Sequence, residues 1–449
     1  MRKLLSLATL MLVPGLALAQ YTFTSLKPTF AHDQSFGSAI DGLSQAGYYV
    51  DSNFETHAGW WQGTGASFVD LHSTEYMLTQ ATGISPTTQV GFGLHGTSFE
   101  VHALMWSGSS GSIMNLTPSG SAFSICNGIN GGQQVGYADF GAGPRAIIWA
   151  GSASLFTDVT PGALDTAVAL CTSGSVQGGW SNTTGDNHAT IWQGTAASAV
   201  DINPIGYTVS QVSATDGTNH GGFAVLGGIE HAAFWGPTGF VDLHPSGYQQ
   251  SGVKGVAPGK QAGFGLDAGG TSHALVWSGT PGSMVDLNQF LPGGFTGAQA
   301  HGIDDNGNIV GVAFGGTSSG QAEAVVWKPV PAYQFIGFLW PINDPAVPES
   351  VFRKGIPVPL LFRLKDSAGA NVPNVVAVVS LQMLGTTDTT INEEDFTYPC
   401  DNGVTFEYIS FLQTYSFVMN TRHLQARKRY RVTATLSNGQ THSVTFSLR

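Results

Sequence analysis

A tryptophan closes a short apolar run seven times along the chain, at positions 61, 106, 149, 192, 235, 277 and 327. The successive spacings are 45, 43, 43, 43, 42 and 50 residues. A unit of that length cannot bury an apolar face alone and must stack on its neighbours. The period matches one four-stranded blade of a β-propeller. The runs read HAGWW, HALMW, RAIIW, HATIW, HAAFW, HALVW and EAVVW.

Each unit keeps one internal order. A small-residue run such as Thr82-Gly83-Ile84 or Asn127-Gly128-Ile129 comes first. A turn follows, then a strand beginning around a glycine, as in Gln89-Val90-Gly91 and Gln261-Ala262-Gly263. The tryptophan strand is third. A short fourth strand carries an aspartate, as in Phe68-Val69-Asp70-Leu71 and Phe240-Val241-Asp242-Leu243. No sustained 3.6-residue apolar period argues for helices. The seventh unit runs from Trp327 into Lys328-Pro329-Val330-Pro331 without a fourth strand. Phe23-Thr24-Ser25-Leu26-Lys27-Pro28 reads like Phe156-Thr157-Asp158-Val159-Thr160-Pro161, so the N-terminal segment is expected to supply it. Pairing those edges would remove a template for aggregation.

The expected fold is therefore all-β. A seven-bladed β-propeller over 20–329 is closed by the N-terminal strand. After a linker at 330–336, an immunoglobulin-like β-sandwich follows over 337–449. Its signal is a set of alternating strands, among them Val358 to Leu364 and His442 to Leu448.

The HAxxW, Q-V-G and V-D-L-x-P strands together resemble the HAF-type extracellular repeats of bacterial proteins, over roughly residues 21–329. That resemblance implies export and blade architecture, and it carries no established activity. The C-terminal segment resembles the PxKF-type modules of secreted bacterial proteins. The matching residues are Gly337-Phe338-Leu339, Gly355 to Asp366 and Thr441 to Leu448, with Leu361 where the name-giving lysine would stand. Such modules resemble spacers or attachment units.

The first residues support export. Met1-Arg2-Lys3, an apolar run from Leu4 to Leu16 and Ala17-Leu18-Ala19 form a secretory signal peptide, with cleavage expected after Ala19. That run is too short for a membrane span. A secreted, extracellular monomer is expected. Charged residues make up only 10% of the chain, against about 25% in an average soluble protein. The formal net charge of −12 leaves no basic patch to offset phosphate repulsion, which excludes nucleic acid as a partner. Three cysteines are present: Cys126, Cys171 and Cys400. Cys126 and Cys171 fall in neighbouring repeats, and a disulfide between them is open but not required by the fold.

The regular polar residues read as blade mechanics. His57, His102, His188, His231 and His273 recur once per blade, so ring symmetry keeps them apart and one metal cannot gather them. Each is expected to bond a backbone group of its own blade. The aspartates of the fourth strands cap turns. Asp304-Asp305-Asn306-Gly307-Asn308 is a hairpin turn rather than a calcium loop, because the sixth position is Ile309. Gly316-Thr317-Ser318-Ser319-Gly320 matches GxSxG but sits in a Gly-rich loop without a following helix. No catalytic residue, metal or cofactor is assigned.

Tyr76, Phe123, Tyr207, Tyr248 and Phe295 recur in the loops between units and are the expected binding residues, for glycan or an extracellular protein. Inner strands would line the channel, where the titratable groups are Asp41, Lys254, His301 and Asp304. The expected function is an exported, non-catalytic binding, adhesion or scaffold protein. The alternatives are a channel-centred enzyme acting on polysaccharide, as lyase or hydrolase, and a structural component of an extracellular matrix. Three or more titratable side chains at one channel mouth would favour the enzyme.

Overall fold

The computed structural model describes residues 20–28, 34–163, 165–182, 185–316, 321–331, 333–342, 349–366, 369–386, 403–438 and 440–449. The expected signal peptide at 1–19, positions 317–320 of the GxSxG match and Cys400 lie outside the described residues. Two compact units divide the chain, Tyr21–Pro329 and Val330–Arg449. The described residues form nine four-stranded sheets. The fold is all-β and β-propeller-like.

Seven of the sheets belong to the first unit. Each runs antiparallel from an inner strand to a short outer one. The first comprises Ser35–Asp41, Ser44–Val50, Thr56–Trp61 and Val69–Asp70. The seventh comprises Phe295–Ile303, Ile309–Gly315 and Ala322–Val330, and its outer strand is Gln20–Ser25 from the far end of the repeat region. There the Leu26 amide donates to the Ala324 carbonyl at 2.7 Å. Phe23 meets Trp327 edge-on at 6.3 Å, and Tyr21 and Leu26 are buried.

The repeated residues hold one sheet to the next. Tryptophans 61, 106, 149, 192, 277 and 327 are fully buried, and Trp235 nearly so. After four of the five histidines the alanine donates its N–H to a hydroxyl of the following sheet, while Ala274 donates to Asn288 Oδ1 at 3.2 Å. Ala58 reaches Thr79 at 3.0 Å, Ala189 reaches Ser210 at 2.9 Å and Ala232 reaches Ser251 at 2.9 Å. Ala324 of the seventh sheet reaches Ser35 of the first at 2.9 Å in the same way. These buried donors would otherwise cost about 1–3 kcal/mol each.

The histidines bond differently from the sequence expectation. In four of the five the Nδ1 atom meets a carboxylate of the fourth strand of the same sheet rather than a backbone group, while His102 Nδ1 accepts from Asn115 Nδ2 at 3.2 Å. His57–Asp70 is 2.9 Å, and His188–Asp201, His231–Asp242 and His273–Asp286 are each 2.7 Å. Arg145 takes the same place beside Asp158. The other carboxylate oxygen caps the turn, as Asp70 does for the His72 amide at 2.8 Å.

All seven inner strands share one irregularity. Register shifts fall between 37/39, 81/83, 126/128, 169/171, 212/214, 253/255 and 300/302. Each is a bulge, which leaves one residue unpaired and re-aims its side chain. The glycine of the second strand stands opposite. A Cβ on Gly91 would lie 1.9 Å from the Gln80 carbonyl oxygen, and the other six glycines meet the same obstacle at 1.8–2.0 Å. The glycine of Q-V-G is thus the space the bulge needs. Gly91→Ala is expected to cost about 3 kcal/mol through overpacking, read as a lower urea midpoint. An unchanged midpoint would contradict the bulge account.

The second unit carries two four-stranded sheets. One orders Gln334–Leu339, Val358–Lys365, Thr414–Met419 and Glu407–Ile409; the other Ser350–Phe352, Thr441–Leu448, Lys428–Leu436 and Ala377–Thr386. Both contribute to one core, with Val358, Leu360 and Phe362 facing the set of Val432, Val444 and Phe446. No helix among the described residues is long and apolar enough to cross a membrane.

Candidate functional site

The seven bulge residues are Ser38, Thr82, Asn127, Leu170, Ser213, Lys254 and His301, and all line one channel of about 190 Å³ in the first unit. Three of them staple neighbouring sheets through the carbonyl just before the next bulge. Thr82 Oγ1 donates to Cys126 O at 2.7 Å, and Asn127 Nδ2 donates to Ala169 O at 2.9 Å. His301 Nδ1 donates to Gly37 O at 2.8 Å, from the seventh sheet to the first. Burial, with the Lys254 ammonium adding to it, holds His301 below the usual imidazole range. Lys254 faces the channel solvent, yet its depth in the unit pushes its ammonium pKa down.

Two residues beyond each bulge, Ile40, Ile84, Ile129, Thr172, Thr215, Val256 and Ile303 form the next layer. One residue further, the channel opens into a basin of about 680 Å³. Six of the seven positions there are polar: Asp41, Ser85, Asn130, Ser173, Asp216 and Asp304. Asp305 joins them from the hairpin turn. No Lys, Arg or aromatic residue appears among the lining residues.

The carboxylates differ in state. Burial raises the Asp41 pKa first, and the charges of Asp304 and Asp305 raise it further. Burial also disfavours ionised Asp216, but bonds from Asn219 and Thr218 outweigh it, so its pKa is lowered. Asp304 spends its oxygens on the turn, accepting from the Asn306 amide at 2.9 Å, the Asn308 amide at 2.8 Å and Asn308 Nδ2 at 2.7 Å. Asp305 is exposed. The mouth therefore sets a carboxyl whose pKa is raised beside three others, a recurrent arrangement for acid–base chemistry.

The five loop aromatics lie elsewhere, and none lines the channel or the basin. Tyr76 is buried, edge-on to His102 at 5.9 Å. Phe123 packs on Tyr137 at 5.9 Å, Tyr248 on His273 at 5.4 Å and Phe295 on Phe23 at 5.3 Å. Tyr207 donates its hydroxyl to Asp242 at 2.9 Å and meets Phe240 at 5.1 Å. Each is engaged within the repeats. Cys126 and Cys171 are free thiols. Burial pushes both pKa values up, that of Cys171 to about 12, which keeps them from acting as nucleophiles.

Of the inner-strand titratable groups named from the sequence, Asp41 and Asp304 meet at the mouth while Lys254 and His301 sit in the channel. Asp216 and Asp305 were missed as members. The signal was available in aligned repeats, because Asp41, Asp216 and Asp304 occupy one register, three residues past the bulge.

No family model matches the chain. No curated protein matches it. Solved structures do, at low identity. The β-propeller domain of the trilobed protease from Pyrococcus furiosus is 10% identical with a TM-score of 0.43, over 67% of this chain and 94% of that one. A puromycin hydrolase is 13% identical with a TM-score of 0.46, over 80% and 61%. The acylaminoacyl peptidase of Pyrococcus horikoshii is 9% identical with a TM-score of 0.43, over 72% and 60%. The chain thus spans about three fifths of the last two. These identities confine the likeness to the fold.

The expectation of a non-catalytic binding, adhesion or scaffold protein, with an enzyme as the less favoured alternative, is corrected. The neighbours are named as a protease, a hydrolase and a peptidase. The channel mouth of this chain also gathers four carboxyl groups, more than the three titratable groups expected to favour a channel-centred enzyme.

Proposed function

We propose that the first unit is a closed seven-bladed β-propeller of HAF type, the second an immunoglobulin-like sandwich, and the exported chain a hydrolase working at the carboxylate mouth. The observation carrying the activity is Asp41, raised by burial and by Asp304 and Asp305. A proton donor beside a proton acceptor is what acid–base hydrolysis requires. Asp41 gives its proton to the leaving oxygen as the carbon–oxygen bond breaks. Exposed Asp305 takes a proton from the attacking water as the new carbon–oxygen bond forms. The proton gained by Asp305 returns to Asp41 through solvent. Asp304, held by its three turn bonds, contributes its charge beside Asp41.

The basin favours a neutral polyhydroxylated chain. Its rim offers hydroxyls and amides, including Ser85, Asn130, Ser173 and Asn219, to hydrogen-bond sugar hydroxyls. A uronate polymer would meet like charge, which disfavours the lyase form of this chemistry. The test is release of reducing ends from neutral and uronate polysaccharides by the purified chain. Release from a neutral polymer and none from uronates is expected. No release from any neutral polymer, or preference for uronates, would overturn the reading.

A further inference from the structure

On the first sheet, Glu55, His57 and His72 meet at the opposite strand ends from Asp41. One ligand atom from each lies within 4.8 Å of the others. Glu55 precedes the third strand, His57 is its second residue, and His72 follows the fourth. The two imidazoles stack at 4.0 Å and 21°.

Both rings are already oriented through one nitrogen. Asp70 holds His57 Nδ1 at 2.9 Å, and Thr79 Oγ1 holds His72 Nδ1 at 3.0 Å. Carboxylate or hydroxyl contacts of this kind fix the ring and leave Nε2 for a metal. His57 Nε2 is buried and has no hydrogen-bond partner. A carboxylate oxygen of Glu55 stands 3.9 Å from it.

The repeat supplies an internal comparison. His231 and His244 stack in the same way at 4.1 Å and 14°, with Asp242 on His231 and Ser251 on His244. There, however, His244 Nε2 meets the Tyr248 carbonyl at 3.1 Å, and Ile229 stands where Glu55 would be. The histidine stack is therefore common blade structure. The carboxylate beside two open Nε2 atoms belongs to the first sheet.

We infer that Glu55, His57 and His72 bind one divalent transition-metal ion of the zinc class, leaving a coordination position open. Two imidazoles and one carboxylate suit zinc, and copper and nickel compete for such a set. Bonds of about 2.0–2.1 Å place tetrahedral ligand atoms about 3.3 Å apart. The exposed Glu55 side chain and a tilt of His72 out of the stack supply that closure. The site is independent of the channel mouth.

The test uses the full chain, stripped with chelator and titrated with zinc chloride by calorimetry, then with Cu²⁺ by electron paramagnetic resonance. One saturable ion per chain and hyperfine coupling from two nitrogens are expected. Losing an outer-shell partner costs about 10–100-fold in affinity, so His72→Gln should cost at least about 100-fold. Glu55→Gln, on an exposed side chain that leaves the fold untouched, should cost at least about tenfold. His244→Gln should leave binding as it was. No saturable binding, or wild-type affinity in both His72→Gln and Glu55→Gln, would overturn the site.

Discussion

Asparagine at position 41 is expected to lower turnover on a neutral polysaccharide by about 10²–10⁴-fold, the usual worth of a positioned proton donor. The substitution keeps the shape of the side chain and removes only the proton it delivers. Its effect on stability runs the other way. The folded-state pKa of Asp41 is raised, so between the ordinary carboxyl value and the raised one the folded chain holds the extra proton. Folding stability therefore falls as pH rises through that window, and asparagine removes the fall. Activity and melting curves measured together at pH 7 should show turnover lost and the melting temperature kept or raised. Wild-type turnover in the variant would remove Asp41 from the chemistry.

Deleting residues 20–28 is expected to lower the melting temperature of the first unit by about 10 °C or more. The segment buries Tyr21 and Leu26, each worth about 1.5–3 kcal/mol. It also covers the edge of Ala322–Val330 and sets Phe23 against Trp327. A loss of about 5 kcal/mol converts to that shift at roughly 2–4 °C per kcal/mol. Calorimetry reads it directly, and an unchanged transition would mean that the strand contributes nothing to the seventh sheet.

The repeat was legible because every unit needs the same buried indole and the same glycine opposite its bulge. The bulge itself was not. Inner strands rich in small residues show no alternation, and the bulged position accepts Ser, Thr, Asn, Leu, Lys or His, since it faces a channel. The histidine contacts were misread because the partner carboxylate is 13 residues away in sequence at His57 and Asp70 and adjacent only across the sheet. The loop aromatics shared a period for the same reason as the tryptophans: Tyr207 and Tyr248 pack on the repeated His–Asp pairs. Asp41 and Asp304 could be named as channel groups from the sequence. Their meeting depends on the seventh sheet lying beside the first, nearly the whole repeat region away along the chain.

The pH dependence of kcat/KM on a neutral polysaccharide, in the wild type and in Asp305→Asn, tests the carboxylate mouth most directly. Hydrolysis needs Asp41 protonated, so activity should fall as pH rises through its raised pKa. Removing the Asp305 charge removes part of what raises it. In Asp305→Asn the residual activity should therefore lose its alkaline limb at lower pH than the wild type. A limb that does not move, or activity that is indifferent to pH across that range, would contradict the account.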